Sequence, residues 1–318
     1  MGNKKHDSSL DSILNQKVLD SHCTVGDLFS WQYLTYPFEY VTTLIQIGYE
    51  PLPPKLGKSL LGVNRFYYPG FFTYASYITK IDGYIGLYRG LKYKILYTMM
   101  YRFVSININH HLIETRYSFL KNEEAKYENS QFLLESINCD CMTRLAALTI
   151  AYPLQIIMIR SMAQFIGRET YYDTIVNAIA DIYQTGGLRG FYAGFLPLLC
   201  YEVTMVVVES SIVFFLRRQS EITDITSPSL ILNIGNWLAR ALLYPFKIVS
   251  TVMSCNGRAC RSLAASAYTA PEHKDWVACL QTLWNRGEIK RGSALFFRHY
   301  PATSPFIFPI QPLMPKSN

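Results

Sequence analysis

The chain has 318 residues, of which 50% are hydrophobic and 17% charged, a balance that excludes a disordered polypeptide and points to helices buried in protein or membrane. The net charge of +7 is spread along the sequence without a basic cluster, so nucleic acid is not a predicted partner. No Gly-rich phosphate loop ends in Lys-Ser/Thr, no catalytic triad is visible and no second Cys/His cluster stands at zinc spacing, so the chain reads as a non-enzyme without cofactor or metal.

Residues 1–21 carry Asp7, Asp11 and Asp20 but no arginine, which fits neither a presequence nor a signal peptide; they read as a flexible N-terminus with targeting information elsewhere. Five stretches follow at 22–47, 89–113, 139–166, 194–216 and 230–255, each long enough to cross ~30 Å of hydrocarbon at about 1.5 Å per residue. None is an uninterrupted apolar run of about 18 residues, so the spans are amphipathic. The first, third and fifth contain a Tyr-Pro pair, at Tyr36-Pro37, Tyr152-Pro153 and Tyr244-Pro245, and each proline predicts a kink because it removes an amide donor.

After the first two kinks the order is the same. An amphipathic stretch (Phe71, Tyr74 and Ile78; then Ile175, Ile179 and Ile182) suits a helix on the membrane surface. A glycine turn follows, Gly86 to Gly90 and Gly190 to Gly194, and then a second span. After the third kink, Trp276, Leu280 and Leu283 repeat the amphipathic stretch, but prolines 301, 305, 309, 312 and 315 block any further helix. The period of roughly a hundred residues divides the chain into repeat 1 (22–115), a polar connector (116–138), repeat 2 (139–217), a truncated repeat 3 (228–300) and a Pro-rich tail (301–318). The aromatic run from Phe66 to Phe72 is expected at the lipid headgroups.

Seven cysteines, among them Cys23, Cys139, Cys141, Cys200 and Cys255, sit in or beside apolar stretches and read as small buried hydrophobes. The ionisable residues are more informative. Lys94, Thr98, Arg102, Ser105 and Asn109 share one helix face; Glu202 and Glu209 lie two turns apart; Asn233, Asn236, Arg240 and Lys247 align on the fifth span, Arg144 and Gln155 on the third. A charge at the centre of a membrane helix costs about 2.5–3.5 kcal/mol, so these stripes are expected to line one cavity with water or partners. The alternative is that they pair internally, Glu202 or Glu209 with Arg240, and fasten the bundle.

The three kinked units resemble those of the mitochondrial carrier superfamily, whose Pro-x-acid-x-x-base motifs pair across repeats to close the pore. Here the motifs read Pro37-Phe38-Glu39-Tyr40-Val41-Thr42, Pro153-Leu154-Gln155-Ile156-Ile157-Met158 and Pro245-Phe246-Lys247-Ile248-Val249-Ser250. Only Glu39 fits an acidic position and no basic position is filled, so the charge network is lost and at most a Glu39–Lys247 contact is expected. Two longer strings, LIQIGYEPLPP (44–54) and MAQFIGRE (162–169), look like signatures of the mitochondrial carrier homolog proteins.

That resemblance implies an all-α, three-repeat bundle lacking the sixth carrier helix, in the mitochondrial outer membrane, and an association with inserting tail-anchored proteins, with recruitment of apoptotic BH3-type proteins and with lipid scrambling. The expectation is an insertase whose polar groove opens sideways between the first and fifth helices, with membrane lipids and apolar helical clients as partners. Glu202 is the leading groove residue; Arg102, Arg240 and Lys247 form a positive wall, and Asn233, Asn236 and Gln155 offer neutral hydrogen bonds. A scramblase, a docking receptor and a residual solute carrier remain open alternatives.

Overall fold

The computed structural model describes residues 25–58, 64–122, 129–220, 228–256, 273–296 and 298–300. The expected flexible N-terminus, Cys23 and the Pro-rich tail 301–318 lie outside the described residues. Five long helices coincide with the five expected spans: α1 (Val25–Ile47), α3 (Leu91–Asn122), α4 (Asn129–Gly167), α6 (Phe195–Ser220) and α7 (Pro228–Ser254). The shortest, α1, has 23 residues and therefore a length of about 35 Å. By length and composition, Ile137–Gly167 within α4 and Phe195–Leu216 within α6 are apolar enough to cross a membrane. The other three long helices are diluted by polar groups such as Glu39, Lys94, Arg102, Asn233 and Lys247.

Pro37, Pro153 and Pro245 all lie inside helices, as expected. They also mark a change in environment. Beyond them α1 buries Tyr40, Val41, Leu44 and Ile45, α4 buries Ile156, Ile157, Met162 and Phe165, and α7 buries Ile248 and Val249. Before them Trp31 and Leu34, Met142 and Ile150, and Leu238 and Leu242 are exposed. The three proline-bearing helices pack against one another, and the large core cluster gathers toward their C-terminal ends. At about 1.5–3 kcal/mol for each fully buried large aliphatic side chain, that end dominates cohesion.

The short helices α2 (Phe71–Asp82), α5 (Ile175–Gly190) and α8 (Trp276–Asn285) supply the rest of this end. Their apolar stripes turn into protein, which corrects the expected membrane-surface placement of those faces. Phe71, Tyr74 and Ile78 are buried, as are Ile182 and Leu283, with Ile175, Trp276 and Leu280 packed alongside; Ile179 stays exposed. The core needs a lid at this end, and the stripes provide it.

An all-α description also needs correction. Strands β1 (Lys55–Lys58), β2 (Asn64–Tyr68) and β3 (Arg298–His299) form an antiparallel sheet in the order β1-β2-β3. β2 is the β-favouring run Asn-Arg-Phe-Tyr-Tyr, so the aromatic stretch expected at the headgroups is partly strand and partly core, with Phe71 stacked on Phe38 at 4.2 Å. β3 comes from the segment after α8, where a six-helix carrier would start its last span. This segment runs back across the first repeat: Phe71 N–H donates to the Leu295 carbonyl (2.9 Å) and Tyr300 N–H to the Phe66 carbonyl (3.0 Å). Arg298 is clamped by Glu50 and by the Pro69 carbonyl. Burial pushes the Glu50 carboxyl up, against the opposing pull of Arg298.

The connector expected at 116–138 is helical on both flanks, because α3 runs to Asn122 and α4 starts at Asn129. Residues 123–128 lie outside the described residues.

Candidate functional site: a charged groove above a hydrogen-bonded floor

The floor is built by one contact made three times. Tyr36, Tyr152 and Tyr244, each preceding its kink proline, donate through the phenol to the carbonyls of Arg89 (2.6 Å), Ala193 (2.7 Å) and Arg291 (2.8 Å). The acceptor precedes a glycine with positive φ in every case: Gly90 at 88°, Gly194 at 75° and Gly292 at 82°. A carbonyl at such a turn lies outside any helical ladder, and leaving it unmet costs about 1–3 kcal/mol.

Each glycine also abuts the next kinked helix. A Cβ at Gly90 would lie 3.4 Å from the Met158 carbonyl, at Gly194 2.5 Å from that of Ser250, and at Gly292 3.4 Å from that of Thr42. Met158, Ser250 and Thr42 are the positions where carriers bear the basic residue of the motif. The ring α1–α4–α7 is therefore closed by backbone contact. Uncharged side chains complete it: Gln46 Nε2 donates to Tyr244 Oη (2.8 Å), Thr251 Oγ1 to Gln46 Oε1 (3.1 Å) and Ser250 Oγ to the Gly194 carbonyl (2.8 Å). The Arg291 guanidinium adds two bonds to the Gln46 carbonyl, at 2.6 and 3.2 Å. The expected loss of a three-way charge gate agrees with this geometry, and the contacts that replace it are hydrogen bonds, from uncharged side chains and from the guanidiniums of Arg291 and the buried Arg160, whose Nε donates to the Ser254 carbonyl at 3.1 Å.

Glu39, Gln155 and Lys247 occupy the same place in the three motifs, just after each proline, and ionised groups assemble from that level. Lys247 is exposed and within electrostatic reach of Glu39, Lys94, Glu202 and Arg240, which come from four helices. The stripes thus meet around one residue. Glu39 does not bond Lys247 directly, as the motif suggested; Lys94 Nζ approaches Glu39 Oε1 at 2.6 Å. Lys94 begins the α3 stripe, and one turn on, Thr98 Oγ1 accepts from Gln32 Nε2 at 2.6 Å, so this part of the stripe faces α1. Asn109 at its far end accepts from Thr143 of α4 (2.9 Å).

The acids of α6 are held by α4. Arg144 Nη2 lies 2.7 Å from Glu209 Oε2 and Arg144 Nη1 lies 3.4 Å from Glu202 Oε2, all three half-buried. This corrects the expected pairing of Glu202 or Glu209 with Arg240: Arg240 is exposed and in no ion pair among the described residues, whereas Arg144 bridges the two acids. One guanidinium thus bridges two carboxylates that lie two turns apart on α6, with its close contact to Glu209. The side chains of Arg102, Arg240 and Lys247 make no hydrogen bond or ion pair among the described residues, although the Lys247 carbonyl accepts from Thr251 Oγ1 at 3.1 Å. Gln155 Oε1 and Asn236 Oδ1 are buried oxygens without a donor, and Asn233 is exposed.

The expected burial of the cysteines holds in part: Cys255 and Cys279 are buried, whereas Cys139, Cys141 and Cys200 are half-buried, and all five are free thiols. Burial pushes the Cys279 thiol, on α8, up to about 11, which keeps it protonated and inert.

The family model described as mitochondrial carrier protein matches residues 129–219, that is, α4 to α6. Mitochondrial carrier homolog 2 of Mus musculus is 30% identical over 293 residues, covering 88% of this chain and 95% of the relative. The Bos taurus protein of the same name is 32% identical over 280 residues, with 84% and 90% coverage. Mitochondrial carrier homolog 1 of Mus musculus is 29% identical over 294 residues, 86% of this chain and 75% of the relative. With identity at that level across nearly the full length of its relatives, the chain belongs to the mitochondrial carrier homolog family.

Proposed function

We propose that this chain is a mitochondrial outer-membrane insertase that passes α-helical, tail-anchored clients into the bilayer through a polar groove open to lipid between α1 and α7. The observation that carries the reading is the cluster of ionisable side chains around Lys247, gathered from four long helices above a floor closed by backbone packing and hydrogen bonds. A tail-anchored client must bring a hydrophilic terminus across hydrocarbon, and the barrier is its desolvation. Water-accessible charges lower that barrier, while the client helix leaves into lipid by its own transfer free energy. No nucleotide and no covalent step are needed. The floor favours this reading over a solute carrier, because alternating access needs contacts that exchange between two states, and backbone packing at Gly90, Gly194 and Gly292 is not of that kind.

The test is insertion of a tail-anchored substrate into liposomes holding only the purified protein, with lipid-probe flipping read from the same vesicles. Stimulation over empty liposomes, altered by Glu202→Gln and Arg240→Gln, supports the insertase. Probe flipping without insertion replaces it with a scramblase; neither activity leaves a docking receptor for apoptotic BH3-type proteins.

A further inference from the structure

Exposed apolar side chains are ordinary on helices that face lipid, but four of them stand at the β1–β2 hairpin, outside every long helix. Leu56 and Phe66, opposite each other in the register, are 63% and 45% exposed. Phe72 and Phe296 are both exposed, with ring centroids 5.8 Å apart. Side chains alternate between faces along a strand, so Leu56 and Phe66 share one face while Lys55 and Arg65 share the other with Gly57 and Tyr67. Gly57 lets the Tyr67 ring lie against the strand, since a Cβ there would come 3.0 Å from it. A cavity of about 290 Å³ beside β1 is lined by both lysines of the strand, Lys55 and Lys58, together with Leu56, Tyr67 and Phe296. Lys55, Lys58 and Arg65 are exposed and in no ion pair among the described residues. Glu50, five residues before β1, is held by Arg298, and the sequence from Lys55 to Arg65 contains no acid.

Lysines on an edge strand ordinarily guard it against pairing with another chain, but that role does not account for the apolar side chains left exposed beside them. The geometry points to a binding site for an anionic phospholipid, with its phosphate at Lys55 and Lys58 and its glycerol and acyl chain against Leu56 and Phe296. Position favours a lipid over a soluble ligand. With 23 residues α1 is about 35 Å long, so it ends near the headgroups of a bilayer whose hydrocarbon is ~30 Å thick. The hairpin starts eight residues after that end and is tied to it, because Arg298 of β3 holds both Glu50 and the Pro69 carbonyl. Lysine stems can lie along apolar surface there while their ammonium groups reach the phosphates, and an anionic leaflet attracts them. An acidic peptide would match the lysines but leave the phenylalanines in water. The site requires that the long helices cross a membrane, and it is independent of the insertase reading.

The test is native mass spectrometry of the full chain in uncharged detergent with an equimolar mixture of dioleoyl phosphatidylglycerol and dioleoyl phosphatidylcholine, which share their acyl chains. Bound phosphatidylglycerol is expected to exceed phosphatidylcholine by about tenfold, and the ratio to fall by about threefold or more in Lys55→Gln/Lys58→Gln. It persists in Lys55→Arg/Lys58→Arg, which keeps the charge. Because both lipids are read on the same protein, the ratio does not depend on how much of a variant folds. A ratio near one in wild type, or one that the glutamine pair leaves unchanged, overturns the site. Glycerophosphoglycerol, the same headgroup without acyl chains, is then added in large excess. Unchanged lipid occupancy is the expected result; displacement would assign the lysines to a soluble phosphate ester, and displacement by a Glu-rich peptide would assign them to a protein partner, either of which overturns the lipid site.

Discussion

Arg144 is the residue whose role was hardest to see in advance. The sequence placed it on a stripe with Gln155 and suggested Arg240 as partner for the α6 acids, because helix spacing assigns residues to faces without saying which faces meet. Arg144 instead holds both Glu202 and Glu209. Its loss strands two half-buried carboxylates, whereas loss of either acid leaves the other pair in place. We expect Arg144→Gln to lower stability by about 1–3 kcal/mol and Glu202→Gln by less, read as thermal midpoints in detergent. Adding Glu202→Gln and Glu209→Gln to Arg144→Gln should recover much of the loss; no recovery would mean that Arg144 acts through packing of its stem.

Arg168 poses a second question at this scale. It follows the last residue of α4 with φ at 56°, a left-handed conformation that glycine adopts freely, and its guanidinium lies 3.1 Å from Asp82 Oδ1. The ion pair to Asp82, which also binds Arg89 at 2.6 Å, offsets the backbone strain. Arg168→Ala keeps the strain and loses the pair, so it should be less stable than Arg168→Gly by about 1 kcal/mol. Equal melting of the two variants would contradict that account.

Among the elements, the three tyrosine-to-turn contacts share one geometry but not one set of alternatives. Tyr36→Phe and Tyr244→Phe each remove the tyrosine donor from a part-buried turn carbonyl, at about 1–3 kcal/mol, whereas Tyr152→Phe leaves the Ala193 carbonyl with a 3.4 Å bond from Ser254 Oγ and should cost less, read as urea midpoints. Gly194→Ala should be worse than any of them, since the added carbon meets the Ser250 carbonyl at 2.5 Å and the φ of 75° already disfavours alanine. Much of this level was legible beforehand. The Tyr-Pro pairs located α1, α4 and α7, and apolar spacing located α2, α5 and α8. The third turn, Arg291-Gly292, escaped notice because it lacks the aromatic residue of the first two, although a third tyrosine in need of an acceptor was the available signal. The hairpin at Lys55 to Tyr68 escaped for another reason: its strands are four and five residues long and mostly exposed, so no alternating apolar pattern marks them.

The whole molecule is asymmetric along its axis. One end is cohesive, with the core, three short helices and the returning segment that ties Arg291 and Arg298 to the end of α1 and the turn before α2. The other holds exposed apolar residues outside and ionised groups within reach of Lys247. The hydrogen bonds joining α1 to α7 lie at Gln46, Tyr244 and Thr251, all beyond or beside the kinks. Leu34 and Leu242, each three residues before its proline, are exposed. If clients leave through that seam, fixing it shut should stop them while leaving the cohesive end intact.

The most direct measurement is insertion by a Leu34→Cys/Leu242→Cys variant, in a background without reactive native thiols, joined by a short cleavable tether. The account predicts that tethered protein in liposomes loses tail-anchored insertion and regains it when the tether is cut; insertion at the untethered rate with the seam fixed would contradict a lateral exit between α1 and α7.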